Sequence, residues 1–254
     1  MSARDSLQLV QSALTNPESI GCIANDYIAM VLVTRLCRAG QVFVDVGAHI
    51  GIMIDAVQHH DPSVEIIAVE AIPEKVANLR RKFPRITLHE CAVGEVPGEA
   101  SFFINLEQTG YSSLSDVTGS SANKEIRVKV ATLDDLLGAK KIDVIKIDVE
   151  GAELGVFRGA QAVLSHSRPF MMFESGPDER LGYTKTALWQ FLHDHDYAVL
   201  APNAVAHNHD GLGLEGFLES HVYPRRATNF FAIPRERRIE ARDRAREILK
   251  IVVT

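Results

Sequence analysis

Short apolar runs alternate with amphipathic segments along most of the chain. Val42 to Val46, Glu65 to Val69, Ile86 to Glu90, Ile142 to Ile147, Phe170 to Phe173, Tyr197 to Leu200 and Asn229 to Ile233 read as strands. Such runs suit strands buried on both faces of a parallel sheet. Between them, Ile50 to His59, Pro73 to about Lys82, Gly151 to about Leu164 and Thr186 to His195 have helical spacing. Pro73 suits a first helical turn. Ahead of the first strand, Leu7, Val10 and Leu14 form a helical stripe that Asn16-Pro17 breaks. Asn25 or Asp26 is then expected to cap a second helix running to about Arg38, with Gly40 ending it. The alternation is interrupted by two further strands, Ala100 to Asn105 and Ile126 to Val130, separated by the polar stretch Gln108 to Lys124. A loop that long is functional or mobile. Leu133 to Leu137 reads as a short helix capped by Thr132 with Asp135 three residues on. Arg235 to Val253 reads as a charged amphipathic helix, with Glu240 and Arg244 at i,i+4 spacing. This order predicts an α/β three-layer sandwich with a mostly parallel sheet of about seven strands. Three segments are expected: N-terminal helices over residues 1–40, a central domain over 41–234, and a C-terminal helix over 235–254.

Composition narrows the class. The chain has 254 residues, 46% hydrophobic and 24% charged, ordinary for one large soluble domain. A net charge of -6 argues against a nucleic-acid footprint across the surface. Three widely spaced cysteines, Cys22, Cys37 and Cys91, form no C-x-x-C pair and suggest reduced thiols in a cytoplasmic protein. The start of the chain lacks the apolar core of a signal peptide, and Ile28 to Val33 is too short for a transmembrane segment.

The candidate chemistry centres on Val42 to Gly51, VFVDVGAHIG, a strand, glycine turn and helix in succession. Backbone N–H groups from Gly47 to Gly51 are expected to face a ligand at the helix N-terminus, with the glycines removing Cβ atoms from its path. A dinucleotide fingerprint would place a second glycine where His49 stands, so a bound pyrophosphate would be crowded. Glu70 follows Gly47 by 23 positions, where a carboxylate can accept both hydroxyls of a ribose. Its structural alternative is an N-terminal charge on the next helix.

From Val42 to Ile233 the chain resembles the FkbM family of S-adenosylmethionine-dependent methyltransferases. The motifs are VFVDVGAHIG, AVEAIPEKVANLRR from Ala68, HECAVG from His89, YSSL from Tyr111, VATLDDLL from Val130, IDVIKIDVEGAEL from Ile142 and NFFAIP from Asn229. The family usually has Asn where this chain has His49. The resemblance implies a Rossmann-like three-layer α/β/α sandwich, its seven-stranded sheet ending in an antiparallel strand. It implies S-adenosylmethionine as cofactor and S-adenosylhomocysteine as product. Asp45, Gly47, Ala48, His49 and Gly51 would frame the methionine part. Glu70 and Ala71 would hold the ribose, and Cys91, Ala92 and Val93 would line the adenine. Ser112 and Ser113 would close over the cofactor, with Asp148 and Glu150 at the crevice. The N-terminal helices, expected to cover the cofactor and acceptor side, and the stretch Asn203 to Arg226 match no family motif.

Methyl transfer to a hydroxyl calls for positioning and for a group that accepts the proton. Asp148 and Glu174, at strand ends, and His207 and His209, in a later loop, are the catalytic candidates. Asp148 as a helix cap and Glu174 as an arginine partner are the structural alternatives. His207-x-His209-Asp210 has a metal-ligand spacing but lies in a glycine-rich loop, so no metal is expected there. Mg²⁺ on Asp148, Glu150 and Glu174 would polarise a sugar diol, a site that spacing alone does not support. The expected activity is O-methylation of a small-molecule, sugar (glycan) or natural-product acceptor. N-methylation of an amino sugar or peptide is the alternative, followed by an NAD(P)-dependent oxidoreductase and by a binding module without catalysis. The C-terminal helix is expected to be a solvated face, with a homodimer contact or an anionic surface site as its alternative.

Overall fold

The computed structural model describes residues 3–105, 123–176 and 183–251. The chain opens with α1 (Ala3–Thr15) and α2 (Ile20–Val33), followed by β1 (Val42–Val46), α3 (Ile52–His60), β2 (Glu65–Glu70), α4 (Pro73–Lys82) and β3 (Thr87–Glu90). Then come β4 (Ala92–Val93), β5 (Gly98–Asn105), β6 (Asn123–Ala131), α5 (Leu133–Leu137), β7 (Val144–Ile147), α6 (Glu153–Arg158) and β8 (Phe170–Glu174). The remainder is α7 (Lys185–Asp194), β9 (Tyr197–Leu200), α8 (Leu214–Glu219), β10 (Asn229–Pro234) and α9 (Arg238–Leu249).

Seven strands form one sheet in the order β3-β2-β1-β7-β8-β10-β9. All neighbours are parallel except β10, which runs antiparallel to both β8 and β9. Strand order reverses at the β1–β7 boundary, where a crevice opens beyond the carboxyl ends. Side-chain alternation builds the layers. Val42, Val44 and Val46 enter a core with Leu154 and Phe157 of α6 and Leu188 of α7. Phe43 points the other way, into a core with Leu32 of α2, Ile54 of α3 and Ala245 of α9. The two strands that interrupt the alternation, β5 and β6, join β4 in a separate three-stranded sheet.

Several boundaries differ from the sequence expectation, each for a tertiary reason. Asn25 and Asp26 cap nothing: α2 begins at Ile20 and both lie inside it. Asn25 donates to Arg226 O at 2.8 Å and accepts from Asn203 N at 2.9 Å. Asp26 accepts from Thr228 N, Thr228 Oγ1 and Asn229 N at 3.1, 2.8 and 3.2 Å. These side chains fasten α2 to the stretch between β9 and β10. The helix expected from Gly151 to Leu164 runs only from Glu153 to Arg158, and Gly159 after it packs closely on Gly94 O, 2.2 Å from where a Cβ would sit. A π-helical turn, Val163–Ser167, follows it. The stretch Asn203 to Arg226 contains α8, and α9 ends at Leu249 with Lys250 left-handed.

Asp26→Ala strands two backbone N–H groups that charge-assisted bonds satisfy. A stability loss of about 1–3 kcal/mol in urea unfolding is expected, against little change for Leu14→Ser, whose side chain is 80% exposed.

Candidate active site

The turn after β1 is left-handed at Gly47 (φ 79°), His49 (φ 51°) and Gly51 (φ 83°). Histidine tolerates this region better than most non-glycine residues. A Cβ on Gly47 would lie 1.9 Å from Asp148 O, and one on Gly51 2.3 Å from the Phe83 ring. The protein's own packing therefore demands both glycines. The turn's N–H groups are also largely committed. Gly47 N and Ala48 N donate to Val69 O at 3.0 and 3.1 Å, and Gly51 N donates to Ala48 O at 2.8 Å. His49 N donates to Glu70 Oε2 at 2.8 Å, and Ile72 N to Glu70 Oε1 at 2.9 Å. Glu70 thus holds two loops together, while each oxygen keeps a further lone pair.

Beneath the turn lies Lys146, the register partner of Asp45 across β1 and β7. Its Nζ donates to Gly47 O at 2.7 Å and stands 3.3 Å from both Asp45 Oδ1 and Asp148 Oδ2. Burial alone would lower its pKa, but Asp45 and Asp148 outweigh it and hold the ammonium above the usual lysine range. Asp45 is fully buried.

Asp148, Glu150 and Glu174 offer carboxylate oxygens within 4.8 Å of one another. Burial, reinforced by Asp148, pushes Glu150 up to about 8 and Glu174 up to about 10. Burial works the same way on Asp148, yet Lys146 and a hydrogen bond from Glu174 hold it below the ordinary carboxylate range. At neutral pH the cluster carries one negative charge, on Asp148, and Glu174 donates its proton to it. Glu150 owes its position to a strained turn: φ is 52° there, and buried Glu153 accepts from Gly151 N at 3.0 Å and from Tyr183 Oη at 2.6 Å.

Asp148 and Glu150 border a cleft of about 270 Å³ at the carboxyl ends of the strands. Of the expected residues, it brings together Gly47, Ala48, His49, Glu70, Ala71, Cys91, Ala92, Val93, Asp148 and Glu150. A second cavity of about 280 Å³ adjoins it and shares Met30, Met53, Lys146 and Asp148. Asp45, Gly51 and Glu174 border neither cavity; each stands behind a residue that does. His207 and His209 are not brought to the site. The segment after β9 folds back along that strand, with Leu212 N donating to Val199 O at 2.7 Å. Arg238 donates to both histidines' carbonyls, at 2.7 and 2.9 Å. Ser112 and Ser113 lie outside the described residues. His221 is buried, and burial lowers its pKa to about 4. Its neutral ring donates from Nδ1 to Phe217 O at 2.8 Å and accepts Ser175 Oγ at Nε2, 2.9 Å away.

Sequence reasoning missed Lys146, Lys75, Phe102 and Met30, all lining the first cleft. The signal for Lys146 was present: it is the only cation within the apolar run Val144–Ile147.

The architecture is that of a doubly wound α/β protein with a ligand-sized cleft at its switch point. Residues 45–199 match the model of the methyltransferase FkbM domain, and the chain belongs to that family. It is 26% identical over 142 residues to "Methyltransferase 1" of Beauveria bassiana (strain ARSEF 2860), a match covering 46% of this chain and 57% of that protein. Among solved structures, it is similar to the TehB-like SAM-dependent methyltransferase of Corynebacterium glutamicum ATCC 13032 Kitasato (8% identity, 81% and 85% of the two chains, TM-score 0.43). A second is the precorrin-6y C5,15-methyltransferase of Geobacter metallireducens GS-15 (18% identity, 68% and 72%, TM-score 0.40).

Removing Lys146 leaves Asp45 as a buried carboxylate with no cation beside it. Lys146→Met is expected to cost about 3–5 kcal/mol in urea unfolding, and the double variant Lys146→Met/Asp45→Leu to recover most of the loss.

Proposed function

We propose that the chain is an S-adenosylmethionine-dependent O-methyltransferase acting on a hydroxyl of a small-molecule acceptor. The observation that carries this reading is Asp148: ionised and common to both cavities. The first cleft suits the cofactor. Its apolar part (Ala71, Cys91, Ala92, Val93, Phe102) offers a slot for a purine, and Glu70 has lone pairs left for ribose hydroxyls. A turn whose N–H groups serve the protein itself has little to offer a pyrophosphate, which favours a phosphate-free nucleoside over NAD(P). The single negative charge on Asp148 suits a cationic sulfonium.

When bound, S-adenosylmethionine supplies an electrophilic methyl group whose bonding pair returns to sulfur. Asp148 takes the acceptor's proton. A carboxylate of low pKa is adequate, because a hydroxyl oxygen becomes strongly acidic as it gains a methyl group. Lys146 keeps that carboxylate ionised beforehand, and Glu174, protonated, orients it. The helices within residues 1–40 are assigned to the acceptor side, residues 41–234 to the catalytic domain, and α9 (Arg238–Leu249) to a buttress.

Calorimetry is expected to show S-adenosylhomocysteine binding and no NAD binding; the reverse would remove the reading. Asp148→Asn should lower kcat by about 10²–10⁴ with little change in S-adenosylhomocysteine affinity, whereas Glu70→Ala should weaken that affinity. As pH rises through about 8, Glu150 ionises. Affinity for the sulfonium should then gain on that for S-adenosylhomocysteine, and Glu150→Gln should abolish the gain.

A further inference from the structure

The second cavity lies on the α2 side of the sheet. Its floor is the pair Lys146 and Met172, register partners on β7 and β8. Its walls are Leu9 of α1, Ile23, Ala29 and Met30 of α2, and Met53 of α3, with Asp26 and Tyr27 of α2 and Asn229 of β10 as further polar lining. Three of these residues are methionines, whose unbranched thioether chains adapt to irregular apolar shapes.

The polar groups at this cavity are largely occupied by one another. Asp26 takes hydrogen bonds from Thr228 and from both nitrogens of Asn229. Lys146, the only cation in the lining, has three protons to donate. Four acceptors surround it: Gly47 O at 2.7 Å, Val46 O at 3.4 Å, Asp45 Oδ1 at 3.3 Å and Asp148 Oδ2 at 3.3 Å. Lys146 therefore has no proton left for a phosphate or carboxylate, and the charge of Asp148 would repel either. A sugar would fare poorly too, since several hydroxyls would lose water against methionine, leucine and isoleucine side chains. The volume, about 280 Å³, is at the small end for ligand pockets.

We infer that this cavity is the acceptor site and that it selects an uncharged acceptor whose reacting hydroxyl is borne on a compact apolar body, as in a phenol or a terpenoid alcohol, over a glycan or a phosphorylated sugar. This rests on the methyl-transfer reading. The acceptor's apolar body contacts Leu9, Ile23 and the methionines, and its hydroxyl reaches Asp148. The C–S bond of the cofactor breaks, the C–O bond of the ether forms, and the hydroxyl proton passes to Asp148.

Four probes test this on the full chain loaded with S-adenosylhomocysteine: naphthol, geraniol, methyl glucoside and glucose phosphate, with binding read by calorimetry. Naphthol or geraniol should bind, and the two sugars should not. Ile23 borders only the second cavity and is half-buried on α2. Ile23→Arg should weaken the apolar probe by about tenfold or more, with S-adenosylhomocysteine affinity and melting temperature unchanged. Leu9→Arg makes the same test from α1 should the first variant fold poorly. Tighter binding of either sugar, no binding of both apolar probes, or apolar binding indifferent to both variants would overturn the inference. If S-adenosylhomocysteine fails to bind, the methyl-transfer reading falls by itself. The four probes on the ligand-free chain then still decide what the cavity accepts.

Discussion

Everything at the switch point depends on one buried ammonium. Gly47 packs so tightly against Asp148 O that no side chain fits between them. That closeness brings Asp45 and Asp148 into the same dry space, where two carboxylates cannot both stay charged unaided. Lys146 stands 3.3 Å from each. At an effective dielectric of about 20, each contact contributes about 5 kcal/mol, while burying each ion costs several kcal/mol. The two contacts together outweigh the lysine's own burial and keep it charged, the carbonyl of Gly47 takes a further proton, and burial still raises the pKa of Asp45.

The lysine also sets the charge of the neighbouring acids. Asp148 stays ionised because Lys146 is beside it, and an ionised Asp148 makes it harder for Glu150 and Glu174 to lose their protons. Three clustered carboxyl groups therefore present a single negative charge, placed where the two cavities meet. In the proposed reaction that charge faces a cation on one side and an acidic proton on the other, so the same carboxylate serves both partners.

Much of the fold was legible because strands buried on both faces leave mostly apolar runs, as in Phe170 to Phe173, even where one charge interrupts them, as Asp45 does in Val42–Val46. The reversal of β10 came with the family resemblance. What was not legible depended on distant partners. Asn25 and Asp26 look like caps, yet their side chains serve Arg226, Asn203, Thr228 and Asn229, some 180 to 200 positions away along the chain. His207 and His209 have a suggestive spacing, but spacing does not reveal that their segment turns back along β9. The acids at strand ends were found because a strand end at a switch point faces the crevice. Lys146 was passed over because a lysine inside a strand carries no motif of its own, although a lone charge in an apolar run always needs a buried partner.

The most direct test is a side-chain carboxyl NMR titration of the intact protein, following Asp148 and Glu174 together. The account predicts that near neutral pH Asp148 is ionised and Glu174 protonated, with Glu174 releasing its proton only near pH 10. Both carboxyls ionised at neutral pH, or Asp148 carrying the proton, would contradict it.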